Sequence, residues 1–161
     1  MTETEVENAV EIQATPSSIF SVAAAVERWP DILPHYRTVE ILGRCEGGRL
    51  MVMRAYRGRI PVRWSAITWA NPEEPRIHFR HTAGFTKGME VEWRFEELPA
   101  GGDGPRTRVV ISHRLAQRRP AMFWRQINSL IAHHFIDYIA GRTLERMKEV
   151  IEAERAGCAV E

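Results

Sequence analysis

Cysteine is scarce in this chain and long hydrophobic runs are missing. Only Cys45 and Cys158 occur among 161 residues, without a CxxC spacing. The two read as free thiols in a reducing cytoplasm. No uninterrupted apolar stretch is long enough to span a bilayer. The opening "MTETEVENAV" is acidic and polar, and lacks the basic start and apolar run of a secretory signal. An excess of charge of one sign is missing too. The formal net charge is +1, so there is no whole-chain electrostatic case for nucleic acid or an anionic membrane. Repeats and low-complexity linkers are absent, which leaves one domain over residues 1–161, with length enough for a sizeable core.

What is present is strand-like alternation. Val6, Asn8, Val10, Ile12 and Ala14 alternate with Glu5, Glu7, Glu11 and Gln13 over a first strand. In "TPSSIFSVAAAVERW" Thr15 can cap a helix, Pro16 suits its first position, and the alanines favour it; it must end before Pro30. Strand-like runs follow over 36–43, 49–56, 61–70, 76–82 and 87–98, separated by "EGG", "RGR", "NPEEP" and "AGF". "PAGGDGPR" reads as a loop before a last strand over 108–115. From Pro120 to about Ala156 the pattern is helical, with Gly157 as a stop.

Parity says which side chains meet that helix. Met89, Val91, Trp93 and Phe95 share one face of their strand; Val109, Ile111, His113 and Leu115 share another, as do Ile77, Phe79 and His81. Between Pro61 and Ala70 the inner set is Val62, Trp64, Ala66 and Thr68, although Ile67 and Trp69 compete for burial. In the helical stretch Ile136, Ala140, Thr143, Leu144, Met147, Val150 and Ile151 form a stripe. Phe123, Ile127, Leu130, Ile131, His134 and Tyr138 lie on nearly the opposite face, so one straight helix cannot set both on the same sheet. That surplus apolar surface suits a pocket or a partner.

The segment "ERWPDILPHYRTVEIL" combines two prolines, neither fit for the interior of a regular helix, with Trp29, Ile32, Leu33 and Tyr36, which normally seek burial. The order strand, short helices, six strands, long helix is that of an α+β helix-grip fold (START- or Bet v 1-like): a curved antiparallel sheet of about seven strands wrapped on a long C-terminal helix. "VERWPDILPHYRTVEIL", "GMEVEWRFEEL" and "TLERMKEVIEAE" resemble the corresponding segments of the START-like polyketide cyclase/dehydrase family. That family includes bacterial aromatase/cyclases, and its coenzyme Q-binding lipid-carrier branch is similar almost as closely. The resemblance implies an apolar tunnel between helix and sheet, with Trp29 at its entrance, Trp64 on its inner wall, and Tyr36 at the place of a tyrosine proposed to act on polyketides. Where the enzyme branch carries a Ser and an Arg along the fourth strand, this chain has Ala66 and Thr68.

A ligand set of Trp29, Leu33, Tyr36, Trp64, Thr68, Phe79, His81, Trp93, His113, His134 and Tyr138 follows, around a pocket of at least several hundred Å³, the scale of ligand sites. His81, His113 and His134 read as separately satisfied histidines at cavity edges, as an acid–base set with Tyr36, or as metal ligands; no ligand spacing supports a metal, and no cofactor is expected. If Tyr36 acts on a polyketide, a cation or second donor must come from Arg54, Arg80, His81 or His113. "MRAYRGR" and "AQRRP" read as solvated faces, or as docking sites for an acyl carrier protein or a membrane surface. The expected function is that of a carrier or chaperone for a polyketide, isoprenoid quinone or lipid. The alternatives are a cyclase/dehydratase acting on a poly-β-ketone, and a protein-interaction module built on "MFWRQINSLI".

Overall fold

The computed structural model describes residues 4–84, 86–115, 134 and 136–158. Seven strands form one antiparallel sheet: β1 (Thr4–Ile12), β2 (Tyr36–Cys45), β3 (Gly48–Arg57), β4 (Ile60–Asn71), β5 (Arg76–Ala83), β6 (Met89–Gly101) and β7 (Gly104–Leu115). Their order across the sheet is β1-β7-β6-β5-β4-β3-β2. Helix α1 (Pro16–Ala24), a 3₁₀ turn (Val26–Arg28) and the short α2 (Trp29–Ile32) join β1 to β2, and α3 (Asp137–Cys158) closes the chain. This is the expected helix-grip architecture.

Local chemistry explains the corners. Thr15 accepts a hydrogen bond from the Ser18 amide and caps α1, with Pro16 in its first turn. Pro30 lies in the first turn of α2, where its missing N–H costs nothing, so that proline is accommodated within a helical turn after all. Glu46 and Gly47, at φ 51° and 77°, make the two-residue turn between β2 and β3. The stretch expected as a loop is shorter than the sequence suggests: the β6–β7 ladder runs on to Gly101 and Gly104. Gly157 lies inside α3 and does not stop it. The expected helical start at Pro120, the stripe over 123–131 and the "MFWRQINSLI" segment lie outside the described residues.

The core lies between the concave sheet face and α3. Met147 and Leu144 are fully buried, Ile151 nearly so, and Val150 is half-buried. α3 is held along β1 by polar ties: Lys148 Nζ donates to the Glu11 carbonyl at 2.7 Å, and the Gln13 amide donates to Glu152 at 3.0 Å. Parity holds on the inner face, where Ile77, Phe79, His81, Met89, Val91, Trp93, Val109, Ile111 and His113 are all buried. Phe95, at the end of its row, is partly buried against them. No helix among the described residues is long and apolar enough to cross a membrane.

Candidate functional site

The wall of the central cavity is built from nearly every element. The sheet contributes Tyr36 (β2), Met53 (β3), Trp64 (β4), Phe79 and His81 (β5), Met89, Val91 and Trp93 (β6), and Ile111 and His113 (β7). Trp29 of α2 and Ile136, Ile139, Ala140 and Thr143 at the start of α3 complete it. Among the described residues the lining holds no carboxylate, lysine or arginine. The cavity, part of it open to solvent, measures about 60 Å³, and about 520 Å³ when the space opening to solvent is included. Among the described residues the expected several hundred Å³ is therefore reached only when the space opening to solvent is counted. Trp29, Trp64 and Trp93 border the cavity, and about 60 Å³ leaves room for a few waters.

"WPDILPHY" supplies one side of this space. Trp29 meets Tyr36 edge-on at 5.1 Å and lies 5.7 Å from Trp93 and 6.0 Å from Phe79, and its indole N–H donates to the Ala23 carbonyl. These contacts fix the ring before any ligand arrives. Leu33 is fully buried in the core beside the wall and is not part of it. Tyr36 is buried, and burial pushes its phenol well above the ordinary range, with the Thr143 hydroxyl opposing.

His81 stacks parallel to Trp64 at 5.9 Å, and its Nδ1 lies 2.6 Å from the Thr86 hydroxyl. Burial, reinforced by His113, lowers its pKa to about 3. His113 is lowered to about 4, again by burial, with the backbone of Val6 opposing. Both rings are therefore neutral near pH 7. No described residue bonds His113 Nδ1, which leaves a buried acceptor or donor beside the void. His134 does not join them: it is exposed and is not part of the cavity wall. Three histidines around one centre are thus not assembled, and no metal-type cluster of three or more His, Cys, Asp or Glu occurs among the described residues.

Thr68 is buried on the inner face, its hydroxyl without a partner among the described residues, but it stands outside the cavity wall. Tyr138 is half-buried and accepts a hydrogen bond from the Gly58 amide at 3.3 Å, also outside the wall. Arg54 and Arg80 are on the convex face: Arg54 is exposed and Arg80 pairs with Glu46. An arginine that does enter the concave side is Arg49, cross-strand from Thr68, and its guanidinium is held by the Ala24 carbonyl and Glu27.

Sequence reasoning missed His35. Its Nε2 lies 2.9 Å from the Thr143 hydroxyl, which itself donates to the Ile139 carbonyl. With that proton spent, His35 is the donor, and a neutral imidazole is tied to α3 one residue before Tyr36. Burial and the nearby Arg142 lower its pKa to about 4. The one available signal was Thr143, a hydroxyl in an otherwise apolar stripe.

The family described as polyketide cyclase/dehydrase and lipid transport matches residues 12–139. No curated protein sequence matches significantly. Among solved structures, an aromatase/cyclase from Streptomyces sp. R1128 is similar with a TM-score of 0.78 and 19% identity, over 94% of each chain. A protein from Thermus thermophilus gives 0.73 and 22% identity, over 94% of this chain and 99% of that one. A START superfamily protein from Mycobacterium smegmatis gives 0.66 and 19%, over 91% and 98%.

Proposed function

The chain belongs to the polyketide cyclase/dehydrase and lipid transport family, and from that premise we propose that it is a single-domain carrier of a hydrophobic small molecule. The ligand is a polyketide, isoprenoid quinone or lipid held between the concave sheet and the start of α3. The observation that supports carriage over turnover is the composition of the wall, whose described residues offer aromatic and aliphatic surface and no cation. Loss of water from a poly-β-ketone needs a group that polarises the carbonyl as charge develops on its oxygen. The two histidines in the wall are neutral, the Tyr36 phenol is a weaker acid than in water, and the inward-facing Arg49 is engaged at the end of α1. The ligand enters by displacing the wall: Met53 and Met89 have adaptable side chains, and the aromatic rings close again on what they hold.

A cyclase reading keeps one observation in its favour. Tyr36, His81 and His113 border the same space, so a neutral imidazole is available as a base beside a phenol. Organic extraction of the purified protein followed by mass spectrometry separates the two. A single quinone, lipid or unchanged polyketide at near-equimolar ratio is the expected result. A cyclised aromatic product together with its linear precursor would overturn the carrier reading.

A further inference from the structure

The hairpin β3–β4 carries an uncompensated positive surface. Arg54 and Arg63 stand directly opposite each other on its convex face. Arg37 joins them because β2 slips register between Tyr36 and Thr38: Tyr36 turns into the cavity and the extra residue faces outward. The three line one cleft with Tyr56, whose hydroxyl accepts from Arg37 at 2.6 Å. Like charges directly opposite on a sheet repel, and other arginines here are compensated: Arg76 by Glu92, Arg94 by Glu7, Arg108 by Glu96. No described carboxylate pairs with Arg37, Arg54 or Arg63.

The turn of the same hairpin extends the pattern. Gly58, at φ 59°, makes a two-residue turn with Arg59, and Ile60 next to it is 59% exposed, the most exposed large apolar side chain described. Arg57 and Arg59 flank it. By strand parity Ile60 and its partner Arg57 lie on the concave side and Arg54 and Arg63 on the convex side, so they meet one surface only at the end of the hairpin. An apolar tip with guanidinium groups behind it on both faces matches a surface with anions outside and hydrocarbon a few ångströms beneath. The tip also touches the cavity's own frame: the Gly58 amide donates to Tyr138, one residue before Ile139 in the wall.

We propose that this hairpin docks the protein on an anionic lipid surface, with Ile60 in the interface and Arg37, Arg54 and Arg63 on headgroup phosphates. The inference rests on the carrier reading, since it puts the start of α3 beside the layer from which an apolar ligand is drawn. The test is co-sedimentation with phosphatidylglycerol and phosphatidylcholine vesicles at low and high salt. Binding to the anionic vesicles alone, weakened by salt, is expected. Each arginine near such a surface contributes about fivefold in partitioning, so R54Q/R63Q should weaken binding about twenty-five-fold. Ile60→Ser, at an exposed site that leaves the fold intact, should remove the salt-resistant remainder. No binding to either vesicle, or binding unchanged in R54Q/R63Q, would overturn the proposal. So would equal binding to soluble polyglutamate, unaffected by Ile60→Ser, which marks an acidic protein partner. The vesicle readout needs no bound ligand. A protein that sediments with anionic vesicles yet takes up no apolar ligand refutes the carrier function and still supports the docking surface.

Discussion

Lowering the pH from 7 to 5 should destabilise the fold through three buried histidines, two of them in the cavity wall. His81 and His113 have folded-state pKa values of about 3 and about 4, against 6.5 when unfolded. Between those limits the unfolded chain binds protons that the folded chain refuses. Stability is therefore full above 6.5 and falls as pH drops toward the folded values. The slope is about 1.4 kcal/mol per pH unit per histidine. From 6.5 to 5 that is about 2 kcal/mol each, or about 4 kcal/mol for the pair. His35, outside the cavity and also lowered to about 4, adds about 2 more, so about 6 kcal/mol in all is lost, a large part of a typical 5–15 kcal/mol. The window lies above the ordinary carboxylate range, so acidic groups add little to it. Urea unfolding followed by far-UV circular dichroism reads the effect. With an m-value of about 2 kcal/mol/M the midpoint should fall by roughly 3 M. His113→Gln should remove about a third of this dependence. Equal midpoints at pH 7 and pH 5, or an undiminished drop in His113→Gln, would refute the reasoning.

Met147→Ala should cost about 2–5 kcal/mol, because Met147 is fully buried between α3 and the sheet; an unchanged unfolding midpoint would contradict its packing. Gly84→Ala should destabilise as well, since Gly84 sits at φ 94° and a Cβ would lie 2.8 Å from the Arg63 carbonyl oxygen; thermal unfolding checks it, and an unchanged Tm would refute it. Tyr36→Phe keeps the ring and removes the hydroxyl. Ligand affinity should fall by no more than about 0.5–1.5 kcal/mol, and calorimetric titration would expose a larger role.

Alternation made the sheet legible. On β5 and β6 the residues at i and i+2 separate cleanly into buried and solvated sets, because one face meets the core and the other water. β4 was ambiguous for a physical reason. Ile67 is buried on the convex face, where it and Trp69 close over Gly48, so both faces of that strand lose water. Alternation says which side chain faces inward and nothing about how far the helix stands from the sheet. The 60 Å³ void could not be read from sequence for that reason. The tie from His35 to Thr143 spans 108 residues and has no local signature. The inward and outward arginines were indistinguishable until register fixed them: Arg49 points in toward the end of α1, whereas Arg54 and Arg63 pair on the outside.

The central claim is that an apolar molecule occupies the space framed by Trp29, Trp64 and Trp93. Tryptophan fluorescence during titration with 1-naphthol tests it most directly, in the wild type and in Ala140→Phe, which fills the void from the α3 side. The account predicts a saturable change in the wild type and an affinity at least about tenfold weaker in Ala140→Phe, the loss of roughly 1.4 kcal/mol of contact. No saturable change in the wild type, or equal affinity in the two proteins, would contradict it.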